Sequence, residues 1–186
     1  MRLFVAAYPS REAMRDLDSA LGERDPQLRW VPTAQWHVTL VFCGDVDEGA
    51  VPELTERLER GAARTPAMSL AIGGGGTFPR QAARARVLWM GLRGDVPAIT
   101  RLAERCTAAA RRTGIGVEDR PFRPHLTLAR ARGAGADVRD RVAGLSTYNG
   151  PSWPLTSITL VHSTLGATTQ HTPLASFALA SERHQA

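Results

Sequence analysis

The feature that most constrains the fold is a short alternating segment that occurs twice. The segment at 36–40 (WHVTL) is repeated at 124–128 (PHLTL), and His125 follows His37 by 88 positions (125 − 37) in a chain of 186 residues. Residues two apart on a β-strand point to the same side, so each copy places an imidazole and a hydroxyl on one face and aliphatic side chains on the other. A repeat at about half the chain length predicts two related halves with pseudo-twofold symmetry.

The rest of the chain predicts an α+β fold in a single domain over residues 1–186, because no long linker interrupts it. A glycine run at 73–76 is interpreted as a flexible turn, and a polar turn is expected at 166–170. Few strands are flanked by two long helices, which favours a largely antiparallel sheet over a doubly wound parallel one. Strands are predicted at 2–8, 28–31, 35–42, 68–72, 87–92, 124–131, 156–164 and 175–180, and helices at 11–21, 51–62, 96–113 and 137–145.

Composition excludes several classes of protein. The hydrophobic share of 43% and the charged share of 22% are those of an ordinary globular protein, and no apolar run approaches the ~20 residues of a membrane span. Residues 1–15 lack the pattern of a secretory signal, so a cytoplasmic location is expected. Cys43 and Cys106 are too few for a disulfide framework or metal motif and are interpreted as buried small hydrophobes.

The basic residues are all of one type. The net charge is +5, and all 23 basic side chains are arginines, with no lysine in the chain. Arginine donates paired hydrogen bonds to phosphate oxygens through its planar fork. The charge pattern is therefore compatible with an anionic substrate.

The two His-x-Thr segments can perform an in-line displacement at phosphorus if their strands lie side by side. One neutral imidazole would take a proton from water, and an imidazolium opposite it would give a proton to the leaving oxygen. The threonine hydroxyls would donate to the non-bridging oxygens, where negative charge develops in the transition state. This scheme requires no metal ion and no cofactor.

The two segments and their flanks resemble a known family. With WVP at 30–32 before the first and RPFRP at 120–124 before the second, they resemble the 2H phosphoesterase superfamily, and within it the bacterial RNA 2′,3′-cyclic phosphodiesterases, also called 2′-5′ RNA ligases. The resemblance extends to the opening strand, to the segment at 77–92 and to ITLVHSTLG at 158–166. It implies two pseudo-symmetric α+β lobes, each a largely antiparallel sheet with helices on the outside, around a central cleft.

The resemblance also implies a reaction and residue roles. His37 matches the proton donor of the family and His125 the proton acceptor, while Thr39 and Thr127 match the hydroxyls that contact phosphate. The implied reaction opens a 2′,3′-cyclic phosphate at an RNA end to a 2′-phosphomonoester, and its reverse joins a 5′-hydroxyl to form a 2′,5′ linkage. The expected partner is RNA with such an end or a small cyclic nucleotide. No membrane and no obligate protein partner are expected, and the protein is expected to be a monomer.

Three further residues are candidates for binding substrate. Arg123 is two residues before His125, so it shares the face of that histidine and could bind the RNA backbone. Arg130 would reach the groove if the strand twists or ends there, and it also matches the family pattern. Phe122 is a candidate stacking platform for a base, as are Phe78 and Trp153, with core packing as the alternative for each.

Two positions depart from the family pattern. Trp36 stands where an aliphatic residue is frequent, and its alternation with His37 predicts that it points into the core. His171 occupies a neighbourhood in which a tyrosine is common. It is interpreted as a solvated histidine in a turn, with contact to a base or ribose as the alternative.

Other functions remain open from the sequence. The chain could be a non-catalytic RNA-binding module that keeps the groove, or an enzyme for another cyclic phosphate or a 2′,5′-linked oligonucleotide. A metallohydrolase using His37, His125 and His162 is a third hypothesis. It is disfavoured because no Asp or Glu lies at ligand spacing from either motif.

Overall fold

The computed structural model describes residues 1–166 and 169–181. Part of the polar turn expected at 166–170 and the tail that contains His184 lie outside the described residues. The strands are β1 (Arg2–Ala7), β2 (Leu28–Trp30), β3 (Val38–Asp45), β4 (Met68–Phe78), β5 (Val87–Gly94), β6 (His125–Ala131), β7 (Asn149–Leu155), β8 (Ser157–Thr164) and β9 (Gln170–Ala178). The helices are α1 (Arg11–Leu21), α2 (Val51–Ala63), α3 (Val96–Arg112) and α4 (Arg139–Leu145).

The described strands form one sheet in which each pair of named strands is antiparallel. The order is β7-β4-β5-β6-β3-β1-β8-β9, and β2 pairs with β6 beside this path. Four strands on each side of the centre therefore form two halves, which meet where Val38 of β3 pairs with Leu126 of β6. The antiparallel α+β prediction is confirmed.

The two halves repeat a local irregularity as well as a strand order. β1 pairs with β3 through a register shift between Val5 and Ala6, and β5 pairs with β6 through a shift between Leu88 and Trp89. Ala6 lies opposite Thr39 after the first shift, and Trp89 lies opposite Thr127 after the second. A bulge bends its strand and increases the local twist. Both motifs therefore lie next to the same kind of bend in the sheet.

One face of the sheet is covered by helices. The apolar stripes of α1, α2 and α3 belong to the same buried cluster as Leu3 and Val5 of β1 and Val38 of β3. Phe4 and Ala6, which alternate with those residues, belong to a separate small cluster on the other face with Val161. His37 and Thr39 alternate with Val38, so their side chains lie on the face of the sheet away from these helices.

The glycine run was predicted as a turn, and that prediction is wrong. Gly73–Gly76 lies inside β4, which is paired on one edge with β5 and on the other with β7. A Cβ atom on Gly76 would lie 2.3 Å from the indole ring of Trp89, so glycine at this position lets the ring pack directly on the strand. The run therefore belongs to the sheet, and its last residue lies against the aromatic ring.

Two strands near the end of the chain differ from expectation. β7 was not predicted, because Gly150, Pro151 and Pro154 interrupt its sequence, and it lies at the outer edge of the sheet, where proline is tolerated. β9 begins at Gln170 rather than at residue 175. Its first residues are polar and are held by pairing with β8.

The cysteines are buried free thiols, as predicted. Burial raises the pKa of Cys43 to about 11 and that of Cys106 to about 12, so both stay protonated and unreactive near neutral pH. None of the helices in the described part of the chain combines the length and apolar character that crossing a bilayer requires.

Candidate active site

The seam between the two halves brings the repeated segments together. Val38 pairs with Leu126 in antiparallel register, so counting one residue outward sets His37 against Thr127 and Thr39 against His125. Side chains directly opposite each other have Cβ atoms about 5 Å apart. All four side chains line one groove of about 530 Å³. The two histidines and the two threonines therefore face one common groove.

The residues before β3 hold His37 in place. Trp36 is 1% exposed, as the alternation predicted, and its Nε1 donates to the carbonyl of Val31 at 3.1 Å. The carbonyl oxygen of Gln35 lies 2.7 Å from His37 Nδ1. The Gln35 side chain also donates to the carbonyl of Thr169 at 3.0 Å, which ties this turn to the start of β9. His37 itself precedes β3, so its position depends on these contacts.

His125 is held by the same type of contact. Its Nδ1 lies 2.6 Å from the carbonyl oxygen of Arg123, two residues earlier, as Gln35 is two residues before His37. A carbonyl oxygen can only accept a hydrogen bond, so Nδ1 carries the proton in both rings. Nε2 of each neutral ring is then the nitrogen free to accept a proton.

Aromatic rings surround His37. The ring of Phe4 is stacked on it with centroids 4.9 Å apart, and the ring of Tyr8 lies at 6.1 Å. His171 meets it edge-on at 5.3 Å and also contacts Phe4 at 5.0 Å. His171 belongs to β9, so its interpretation as a solvated histidine in a turn is wrong. Pairing of β9 with β8 carries it to the groove.

His125 has a comparable but different enclosure. The ring of Phe78 meets it edge-on at 5.0 Å, and the indole of Trp89 lies at 6.1 Å. Phe78 and Trp89 also contact each other at 5.3 Å. Because Trp89 packs on Gly76, the glycine run of β4 supports the wall behind His125.

Burial lowers the pKa of both histidines. The pKa of His37 falls to about 4, chiefly because burial disfavours the charged ring. The hydrogen bond with the Gln35 carbonyl opposes this, and the nearby His171 and His125 add to it. The pKa of His125 is also lowered by burial, with the Arg123 carbonyl opposing and the charge of Arg130 adding. Both rings are neutral near pH 7 when the groove is empty.

The groove is basic. Arg2, Arg29 and Arg130 line it, and none of its lining residues in the described part of the chain is acidic. Arg130 reaches the groove, as the sequence allowed, and its charge acts on His125. A groove with this balance of charge attracts anions.

Arg123 and Phe122 are not among the residues that line this groove, and whether they bind substrate stays a prediction. They line a neighbouring cavity of about 680 Å³, which shares His125 with the groove and includes Phe78 and Trp89. β6 begins only at His125, so the alternation used to place Arg123 does not extend back to it. Its contribution to the site is its backbone carbonyl. Trp153 is 4% exposed and packs in the core.

Sequence analysis missed the aromatic residues of the groove, which are Phe4, Trp30 and Phe42. Phe42 is 46% exposed, and the guanidinium of Arg2 lies 4.9 Å from the centre of its ring. The repeat could have indicated it, because Phe42 and Arg130 have the same 88-position spacing as the two histidines. Phe42 thus takes the position in the first half that Arg130 takes in the second.

Arg29 and Ser163 were also missed, and each lines the groove from a strand that the repeat does not include. Arg29 belongs to β2, and Ser163 is a buried residue of β8. His162 is not among the residues that line the groove. Among the residues the structure describes, no three His, Cys, Asp or Glu side chains are grouped to hold a metal ion.

Comparisons with known proteins agree with this geometry. A family model described as "2'-5' RNA ligase superfamily" matches residues 7–167. A protein of Geobacillus stearothermophilus named "RNA 2',3'-cyclic phosphodiesterase" is 33% identical over 130 residues, which are 68% of this chain but only 41% of that protein. An Escherichia coli protein of the same name is 33% identical over 144 residues, 77% of this chain and 75% of the other.

The fold is also similar to a solved structure. The crystal structure of the protein TT0787 of Thermus thermophilus superposes with a TM-score of 0.82 at 27% sequence identity. The superposition covers 98% of this chain and 100% of that one. The similarity therefore includes both halves of the sheet.

Proposed function

The chain belongs to the 2′-5′ RNA ligase superfamily of 2H phosphoesterases, and on that premise we propose that it hydrolyses the 2′,3′-cyclic phosphate at an RNA end to a 2′-phosphomonoester. The relatives named for this activity support the substrate class. The proposed reaction needs no metal ion and uses the two histidines as acid and base.

One observation carries the proposal. Val38 pairs with Leu126 at the seam of the sheet, and the histidine and threonine of both segments line one basic groove. A phosphate between them would have a ring nitrogen on each of two sides and a hydroxyl donor on each of the other two. In-line displacement requires this arrangement of a base, an acid and charge-stabilising donors.

In the forward reaction, His125 is the proton acceptor. The water oxygen forms a bond to phosphorus as its proton passes to Nε2 of His125, which is free because Nδ1 is held by the Arg123 carbonyl. Thr39 and Thr127 donate to the non-bridging oxygens, and Arg130 adds positive charge nearby. The bond between phosphorus and O3′ then breaks.

His37 is the proton donor to O3′, and it must first acquire its proton. Its pKa of about 4 makes the ring neutral in the empty groove. A bound phosphodiester is an anion and stabilises the imidazolium, which raises this pKa. Substrate binding therefore loads His37 with a proton. At the end of the reaction His37 is neutral and His125 protonated, and exchange with solvent restores both.

We further propose that the protein acts as a monomer in the cytoplasm, on RNA ends or small cyclic nucleotides. Support for a monomer is that, among the described residues, both halves of one sheet supply a histidine and a threonine to the groove. Support for a reducing compartment is that Cys43 and Cys106 are free thiols.

The test is product analysis on a short RNA ending in a 2′,3′-cyclic phosphate, with EDTA present. The expected product is a 2′-phosphomonoester, formed at the same rate with and without chelator. A 3′-phosphate would mean that O2′ is the leaving oxygen. Binding of the RNA without turnover would favour the non-catalytic module, and loss of turnover in EDTA would favour a metallohydrolase.

A further inference from the structure

We propose that Arg29 and Arg130 form a second phosphate site, which binds the phosphodiester that precedes the terminal cyclic phosphate of an RNA. The site makes the groove prefer an oligonucleotide to a cyclic mononucleotide. This inference rests on the proposed function and extends it to the length of the substrate.

The sheet places the two arginines face to face. Arg29 of β2 and Arg130 of β6 are Cα partners in the antiparallel pair between these strands. Directly opposite residues share a face of the sheet, with Cβ atoms about 5 Å apart. Both side chains are exposed and both line the groove. Two guanidinium forks therefore border one space that is open to solvent.

The charges of this pair are not neutralised by the protein. Like charges directly opposite each other in a sheet are destabilising. The ion pairs among the described residues lie elsewhere, and their arginines are Arg24, Arg57, Arg60, Arg111, Arg120 and Arg139. The groove that the pair borders contains no acidic lining residue in the described part of the chain. An anion bound between the two forks would remove the repulsion.

The pair lies at a suitable distance from the reacting phosphate. Arg130 follows Thr127 by three residues, which is roughly 10 Å along a strand. Arg130 lines the same groove as His125 and Thr127 and is also the strand partner of Arg29. Arg29 is one strand further out. Arg130 can therefore contact both phosphates, whereas Arg29 serves only the outer one, and phosphate suits paired donation from two forks.

Three substrates distinguish the effect of the outer phosphate charge from the effect of the added nucleoside. Cytidine 2′,3′-cyclic monophosphate has no second phosphate, and the dinucleotide CpC with a 2′,3′-cyclic end has one. The same dinucleotide with a methylphosphonate in place of the internal phosphodiester keeps the base but loses the charge.

Values of kcat/KM are measured for the wild type, Arg29→Ala and Arg29→Lys. Arg101→Ala removes an exposed arginine of α3 outside the groove and is the matched control.

The wild type is expected to prefer the charged dinucleotide to both other substrates by about tenfold. Arg29→Ala should lose this preference, because it should lower kcat/KM for the charged dinucleotide by about tenfold more than for the mononucleotide. Arg29→Lys should restore part of it, because the ammonium keeps the charge but not the fork. The salt dependence of dinucleotide binding should weaken by about one unit of slope in Arg29→Ala and not in Arg101→Ala.

The inference is overturned if Arg29→Ala lowers kcat/KM equally for all three substrates, or if the wild type does not distinguish the phosphodiester from the methylphosphonate. Calorimetric binding of the products, cytidine 2′-phosphate and CpC 2′-phosphate, gives the same comparison without turnover. An inactive protein that still prefers the second product through Arg29 would contradict the proposed function and support the second phosphate site.

Discussion

The two halves of the groove share their framework and differ in their surroundings. In each half a histidine hydrogen-bonds through Nδ1 to the carbonyl two residues earlier, and a threonine follows it by two. In the first half, the small Ala6 lies opposite the threonine, and an exposed Phe42 follows the histidine by five residues. The second half has Trp89 and Arg130 at these positions.

This difference separates the chemistry from the recognition of substrate. Both halves contain a ring with a fixed tautomer and a hydroxyl donor. An in-line displacement uses one ring and one hydroxyl from each half. The features that differ place an aromatic ring and Arg2 at one end of the groove, and the paired Arg29 and Arg130 at the other. A symmetric framework with unequal ends can bind an RNA end in one direction.

The largest effect is expected from breaking the histidine pair. His37→Ala and His125→Ala should each lower kcat at least about 10²-fold, because each removes one proton transfer. The double variant should be little worse than either single one, since the rings act as a unit. Steady-state kinetics on cytidine 2′,3′-cyclic monophosphate measures this. Losses that multiply would show that the two halves work independently.

A smaller effect is expected from the hydroxyls. Thr39→Val and Thr127→Val keep the shape of the side chain and remove a donor to the non-bridging oxygens, so each should lower kcat about 10- to 100-fold with a smaller change in KM. Thr→Ser at the same positions is the control and should retain most of the activity. Equal loss in the serine variants would assign the threonines to packing instead.

The smallest expected effect is on the pKa values of the His37 and His125 rings. It compares the two halves of the groove most directly. In an NMR titration of the free protein, both histidines should titrate below 6.5, with His37 at about 4. Binding of cytidine 2′-phosphate should raise the pKa of His37, because the anion favours the charged ring, so the protein should take up protons on binding between pH 5 and 7. Calorimetry in buffers of different ionisation enthalpy measures the uptake. The NMR pKa of His37 decides the test, because the phosphate of the ligand itself ionises at about pH 6. A rise confined to His125 would exchange the proposed roles.

The repeated segments could be predicted because their information is local. Alternation within five residues determines that Val38 and Leu126 enter the core and that the histidines face away from it. The pairing that makes the site is a contact between residues 88 positions apart, and only the repeat indicated it. The antiparallel α+β class followed from the same strand and helix patterns.

The errors have a common physical cause in long-range pairing. Glycine alone favours a turn at 73–76, yet β5 and β7 supply backbone partners on both edges and Trp89 supplies the packing. His171 is polar in a polar segment, and only its strand partner on β8 places it at the groove. Arg29 was missed for the same reason, since the strand that gives it a role lies about a hundred residues later.

The single Val38–Leu126 pair has a consequence for how such a chain can vary. Inserting or deleting one residue between the histidine and the threonine of either motif would put these two side chains on opposite faces of the strand. The irregular segment at 113–122 carries no such constraint, because it ends before Arg123, whose carbonyl holds His125, and before β6. That segment can change in length without turning a motif side chain to the other face, whereas a one-residue change inside either motif would separate its imidazole from its hydroxyl.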